Sequence, residues 1–304
     1  MMKHLFFKSC LGLKLLACYG ILALVCFSAC KRPADAQTCG AQSADVRVNV
    51  MSFNIRLDIA SDGENSWAYR KDHVAQMLHY YSPDILGMQE VVKNQRDDML
   101  HASTVFAAVG VGREDGKELG EFNSLFYNKH RFESLQEGTF GLSENPDSIG
   151  LMGWDSACPR IATWALLKDK VSGKQLAAVN THLDHIGVVA RREGARLIVS
   201  KLKELFGDVP VVLTGDFNCT SDSEPVALLQ DNGMRNCALE AAVKYGPAWS
   251  FHNFGRIPVE KRTLIDYIFV TGDVAVNSYR VIGDKPDTGY LSDHAPIFVN
   301  LTLK

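Results

Sequence analysis

Short apolar segments that each stop at an acid, an amide or a histidine recur along this chain and constrain its fold more than any other feature. Val46 to Phe53 alternates, then runs apolar, and ends at Asn54. Ile85 to Met88 ends at Gln89-Glu90, Gln175 to Thr181 at His182, and Val209 to Thr214 at Gly215-Asp216. Such runs predict buried strands. Phe122 to Tyr127, Ile161 to Leu167, Ile265 to Val270 and Pro296 to Leu303 add further strands. Between them, Val74, Met77, Leu78 and Tyr81 fall at i, i+3, i+4 and i+7, and Ala195, Ile198, Leu202 and Leu205 stripe a second segment, so two amphipathic helices are predicted. Ser82-Pro83-Asp84 stops the first. Each half runs strand, helix, strand and several strands, without sequence repetition. The expectation is an α/β fold with two face-to-face mixed sheets and helices outside, in one domain.

The first thirty residues are an address. Lys3, Lys8 and Lys14 form a basic region without an acid, and the apolar stretch from Leu15 to Ala29 follows. Fifteen residues are short for a membrane span, which needs about 20, and suit a signal h-region. Phe27-Ser28-Ala29-Cys30 resembles a bacterial lipoprotein cleavage box, with Cys30 as the lipidation site. Ala34-Asp35-Ala36 offers the rival, an ordinary cleavage site. The expected division is signal peptide 1–30, flexible tether 31–44 and a folded domain 45–304, exported to the bacterial cell envelope and joined to a membrane by its N-terminal lipid. Without the three lysines, the 32 basic residues fall to 29 against 35 acidic ones, a net of −6. That disfavours binding to nucleic acid by bulk charge. Four cysteines, Cys39, Cys158, Cys219 and Cys237, lie beyond the leader. Cys219–Cys237 is the nearest pair, set against free buried thiols.

One polar residue at a strand end has a bland reading: an Asp after Gly is usually a turn residue, and a His near a strand is usually packed. Six such positions in one chain are different, because neighbouring strand ends converge on one rim. The segments SFNIR (52–56), GMQEV (87–91), VNTHLDH (179–185), TGDFN (214–218), LIDYIF (264–269) and LSDHAPI (291–297) resemble, in order and spacing, the endonuclease/exonuclease/phosphatase family, over about residues 45–304. The resemblance implies the DNase-I-like four-layer α/β sandwich and hydrolysis of phosphoesters with a divalent metal.

The residue types suit that chemistry. Glu90 is a hard oxygen ligand for Mg²⁺ or Mn²⁺, Asn54 can add an amide oxygen, and Asp293 a further carboxylate. Asp216 and Asn218, two apart on extended backbone, face one way; Asp216 can orient or deprotonate water and Asn218 can hold a phosphate oxygen. His294 can act as base or bind phosphate, with Asp266 fixing its tautomer. By resemblance, Asp216 and the Asp266–His294 pair stand on the water side, and His182 contacts phosphate or protonates the leaving oxygen. Arg56 replaces an acid found in some nuclease relatives, which weakens the case for a second metal there. Arg56, Tyr127, Arg160 and Arg191 are candidates for binding substrate phosphate. Trp67 and Trp154 are read as packing residues.

Four other readings compete with this one. A zinc hydrolase with H-x-H-x-D-H fails because Asn180 occupies the first ligand position. A nuclease on the same fold is disfavoured by charge. A lipid phosphodiesterase of the sphingomyelinase type lacks a long apolar insertion. A lipoprotein that only binds a ligand has no use for Glu90 together with an acid–base set. The expected substrate is a phosphorylated small molecule or a glycan-linked phosphate, and no protein partner is inferred.

Overall fold

The computed structural model describes residues 45–304 except Thr288; the expected signal peptide, tether and Cys30 lie outside the described residues. The first half supplies β1 (Val46–Asn54), α1 (Trp67–Tyr81), β2 (Ile85–Val91), α2 (Lys93–Ala102), β3 (Phe106–Val109) and β4 (Phe122–Asn128). The second supplies β5 (Phe132–Gly141), β6 (Ile161–Asp169), β7 (Gln175–His182), α3 (Val188–Phe206), β8 (Val211–Asp216), α4 (Glu224–Asp231), β9 (Arg235–Asn236), α5 (Cys237–Glu240), β10 (Val243–Tyr245), β11 (Asp266–Val270), β12 (Val274–Val281) and β13 (Ile297–Leu303). One sheet has the order β10-β12-β13-β1-β2-β4-β3 and the other β5-β6-β7-β8-β11-β9. The two sheets are mixed and flanked by helices, the DNase-I-like sandwich. The halves of the chain are not the two sheets, however. β11 completes the second sheet, but β12 and β13 return to the first, where β13 pairs antiparallel with β1.

Three apolar layers explain the strand patterns. Val48, Val50, Ile85, Ala178, Val212, Ile268 and Ile297 meet between the sheets. Met51, Phe53, Leu86 and Met88 face the other way, under Val74, Met77 and Leu78 of α1. Val179, Leu213 and Phe269 lie under Ala195, Ile198 and Leu202 of α3. A strand buried on both faces reads as a continuous apolar run, which is why β2 and β8 do not alternate. α1 starts three residues before Arg70 and ends where Ser82 turns left-handed, ahead of Pro83. α3 carries Gly187 before its first turn, and the Asp155 carboxylate accepts the free N–H groups of Val189 and Ala190. Sequence periodicity missed α2, β5 and β12. Buried Met99 and Gln95 of α2 give too few apolar positions for a stripe, and β5 is largely exposed.

The pairings that position the polar strand ends are parallel. β1 pairs with β2, placing Asn54 opposite Gln89, and β7 pairs with β8, placing His182 opposite Asp216. Parallel neighbours need a crossover connection, here α1 and α3, and they bring equivalent ends to one rim. Buried polar groups tie the sheets together just behind it. Gln89 Nε2 and Thr214 Oγ1 donate to Asn180 Oδ1 at 2.6 and 3.1 Å, and Asn180 Nδ2 donates to the carbonyls of Met88 and Ser124. Gly87 sits in this crossing: a Cβ there would stand 2.0 Å from Thr214 Oγ1 and 2.7 Å from Asn180 Oδ1.

Candidate active site

The rim opens into a cleft of about 310 Å³ lined by residues of both sheets. Asp216 stands at its centre, 1% exposed. Its Oδ2 lies 3.4 Å from His182 Nε2 on one side and 3.7 Å from His294 Nε2 on the other. Its Oδ1 accepts the Asn218 N–H at 2.9 Å, and Asn54 Nδ2 donates to Oδ2 at 3.0 Å. Burial, with Asp266 close by, pushes the Asp216 carboxyl up to about 7.

The flanking histidines have different partners. His294 Nδ1 is 2.8 Å from Asp266 Oδ2, across the start of β11, and Phe251 packs a tilted ring on it at 4.9 Å. Burial opposes the imidazolium, but Asp266, Asp216 and Asp293 outweigh it and hold His294 well above its ordinary range. His182 Nε2 accepts from Asn218 Nδ2 at 2.9 Å, which places the ring proton on Nδ1, a buried atom without a partner among the described residues. Burial, reinforced by the Arg160 and Arg113 charges, pushes His182 well below its ordinary range.

Glu90 reaches the cleft through an irregularity. The β2–β4 register shifts between Met88 and Val91, and Glu90 takes a left-handed φ of 59°. A bulge of this kind re-aims a side chain at a sheet edge. Arg56 and Asn218 are also left-handed and also line the cleft, and such non-glycine residues gather where surrounding structure enforces them. Glu90 Oε1 accepts from Asn54 Nδ2 and Oε2 from the Leu57 N–H. Asp293 lines the same side; burial raises its pKa and the Glu90 charge adds to the rise. Clustered carboxylates are the donor set that a hard divalent cation takes, so Glu90 and Asp293, with Asp216 beside them, fit such an ion. Asp216, Asp266 and His294 also bring ligand atoms within 4.8 Å of one another, but there the close Asp266–His294 hydrogen bond already uses one imidazole nitrogen.

The chain belongs to the endonuclease/exonuclease/phosphatase family. The match to the model of that family spans residues 51–294. A Bacteroides vulgatus structure described as endonuclease/exonuclease/phosphatase is 46% identical, with a TM-score of 0.83, over 85% of this chain and 100% of that one. A Bacteroides thetaiotaomicron mannosyl-6-phosphatase is 34% identical, with a TM-score of 0.80, over 84% of this chain and 99% of that one. Nocturnin of Drosophila melanogaster is 26% identical over 172 residues, 53% of this chain and 25% of its own length. The chain spans between a quarter and a half of the length of the curated relatives it matches. Family members are hydrolases of phosphoester bonds that use divalent metals.

The structure gathers Asn54, Glu90, His182, Asp216, Asn218, Asp266, Asp293 and His294, from six separate segments, into one site. Three placements correct the sequence reading. Asn54 does not offer its amide oxygen: Oδ1 accepts the Arg56 N–H at 3.0 Å, while Nδ2 bridges Glu90 and Asp216. Tyr127 lies outside the cleft, half-buried against the layer between the sheets, because its position in β4 pairs with Ile85 and Ala107. Arg191 also lies outside, and its Nη1 donates to the Asp184 carbonyl at 2.8 Å. Arg56 and Arg160 line the cleft. Arg56 is held by Asp62 at 2.9 Å, with Nη1 3.8 Å from Glu90. Trp67 is buried, and Trp154 is half-buried and does not line the cleft. Cys158, Cys219 and Cys237 are free thiols, so the Cys219–Cys237 pairing is not formed; Cys39 lies outside the described residues.

Sequence reasoning passed over Arg113, Glu121, His185 and Phe251, which also line the cleft. Arg113 and Glu121 belong to a loop, GREDGKELGE, closed by a bridge between Gly112 and Phe122. Its glycines flank a charged run, which reads as a solvated turn until the bridge is known.

Proposed function

We propose that this protein is a phosphatase of small or glycan-linked phosphate monoesters. The observation that carries the reading is the cleft: about 310 Å³, the low end of small-molecule pockets, with the Asp216 group at its floor and charged side chains around it. The resemblance to mannosyl-6-phosphatase, 34% identical over nearly its whole length, supports it. When bound, a divalent cation, Mg²⁺ or Mn²⁺, neutralises charge on the phosphate oxygens; Glu90 and Asp293 are placed to hold it. Asp216 in its ionised form, with a pKa of about 7, orients the attacking water and takes its proton. His294, kept charged by Asp266, faces the phosphate oxygens. His182 and Asn218 stand on the opposite side, toward the leaving oxygen.

The test is phosphate release from a hexose 6-phosphate and from a generic aryl monoester, against the matching aryl diester and an oligonucleotide, with Mg²⁺ or chelator and with His294→Ala as blank. The reading expects metal-dependent and His294-dependent turnover of the monoesters. Faster turnover of diester or oligonucleotide overturns it and brings forward a nuclease or a lipid phosphodiesterase.

We infer further that the protein is exported and lipidated at Cys30, on the strength of the lysines and apolar stretch before it. Labelled palmitate should enter the protein and fail to enter Cys30→Ser; equal labelling of both overturns the assignment.

A further inference from the structure

One wall of the cleft takes no part in the steps above. It carries Arg113, Glu121, Arg160 and His185, with Asp184 behind them. Arg113 and Glu121 face each other as a two-pronged ion pair, Nη1 to Oε2 and Nη2 to Oε1, both at 2.7 Å. Arg160 is 4% exposed. Its Nε donates to Asp184 Oδ2 at 3.2 Å and its Nη2 donates to His185 Nδ1 at 2.9 Å. Two guanidinium nitrogens on this wall, Arg160 Nη1 and Arg113 Nε, are buried without an acceptor among the described residues. A buried donor without an acceptor is unfavourable, so both gain from an oxygen brought against this wall.

The charges say what kind of oxygen. Each guanidinium has a carboxylate partner, Glu121 beside Arg113 and Asp184 behind Arg160, so the wall presents paired charge. A second phosphate or carboxylate would meet Glu121 as closely as it met Arg113. Adjacent hydroxyl groups both accept and donate, and they match alternating guanidinium and carboxylate groups. Cys158, Asp184 and His185 do bring metal-type ligand atoms within 4.8 Å of one another, but the Arg160 guanidinium stands bonded to two of the three. A cation has no place there.

We propose that the Arg113–Glu121 pair and Arg160 recognise adjacent hydroxyls on the leaving group, so that the substrate is the phosphate monoester of a sugar or similar polyol. The proposal rests on the phosphatase reading. Phosphate is held on the Asp216 side, and the wall grips what leaves. A site that hydrogen-bonds hydroxyls discriminates strongly against an analogue without them.

The experiment compares kcat/KM for a hexose 6-phosphate with that for butyl phosphate, in the full protein with Mg²⁺ and in Glu121→Gln and Arg160→Lys. Wild type should favour the hexose phosphate, and the ratio of the two constants should fall about 10- to 100-fold in each variant. The change should lie mainly in KM for the hexose phosphate, which a general loss of folded enzyme would not produce. Should one variant fail to fold, the other carries the test. A wild type that hydrolyses both substrates equally well, or variants that leave the ratio unchanged, overturns the proposal and leaves the phosphatase reading standing. A wild type that hydrolyses neither monoester while cleaving diesters overturns both.

Discussion

Two histidines stand on either side of one carboxylate, and the fold gives them opposite protonation. His294 meets Asp266 at 2.8 Å and sits among three carboxylates; His182 meets the Asn218 amide at 2.9 Å, with Arg160 and Arg113 nearby. Both are almost fully buried, 5% and 4% exposed, so burial alone would neutralise both. The neighbours decide instead. On the acid side, nearby negative charge outweighs burial and keeps the imidazolium. On the amide side, nearby positive charge adds to burial and removes it. Asp216 between them can therefore draw on a charged donor and a neutral ring at once, an asymmetry suited to a reaction with distinct attacking and leaving oxygens.

The largest expected effect comes from breaking the acid side. His294→Ala should lower kcat by about 10²- to 10³-fold, the range for removing a preorganised charged donor that faces the reacting oxygens, with the melting temperature as control for folding. A variant within threefold of wild type would remove His294 from the reaction. Asp266→Asn keeps a hydrogen-bonding partner beside Nδ1 but removes its charge, so its loss should be smaller and His294 should titrate lower by NMR. An unchanged His294 titration in that variant would contradict the electrostatic account.

How much of this was readable in the sequence follows from the same geometry. The parallel pairs β1·β2 and β7·β8 put polar residues at the ends of apolar runs, and a run followed by Asn54, Glu90, His182 or Asp216 is visible without coordinates. The direction of an amide is not. Asn54 was expected to present oxygen and presents its NH₂, because the left-handed turn at Arg56 brings a backbone N–H to Oδ1. Asn180 was read only as a failed metal ligand, and its burial between Gln89 and Thr214 depends on two sheets meeting face to face. Tyr127 reads from sequence either as a phosphate ligand or as the end of a strand, and the second holds, because β4 runs antiparallel to β2 and its far end points away from the rim. The Arg113–Glu121 pair is eight residues apart across a loop closure that no periodicity reveals.

The amide side can be made to resemble the acid side. Asn218→Asp places a carboxylate where the amide nitrogen lies, 2.9 Å from His182 Nε2. The His182 pKa should then move up, toward and beyond its ordinary 6.5, as read by NMR of the imidazole. Turnover should fall by about tenfold or more, since the variant also loses the donor held to Leu183 and adds a charge beside Asp216. If His182 stays neutral in this variant, the arginines and burial, rather than the choice of amide over acid, set its state.

The smallest expected effect concerns the support beneath the amide side. Burial works against the Asp184 carboxylate, but the N–H groups of Gly187, Ile186 and Ala157, with Arg160, outweigh it and draw its pKa from 3.8 down to about 2. A carboxyl lowered by folding contributes stability that is complete above its unfolded value and lost as pH falls through its folded value. The Asp184 contribution should therefore be constant above about pH 3.8 and fade between there and about pH 2. Thermal melts of wild type and Asp184→Asn across that window test it. The variant should melt lower near neutrality, because Arg160 loses its ionised partner, and the difference should shrink as the pH falls. A difference that stays constant through the window would mean that Asp184 acts by shape and hydrogen bonding alone, and that the charge beside Arg160 contributes nothing to holding the wall next to His182.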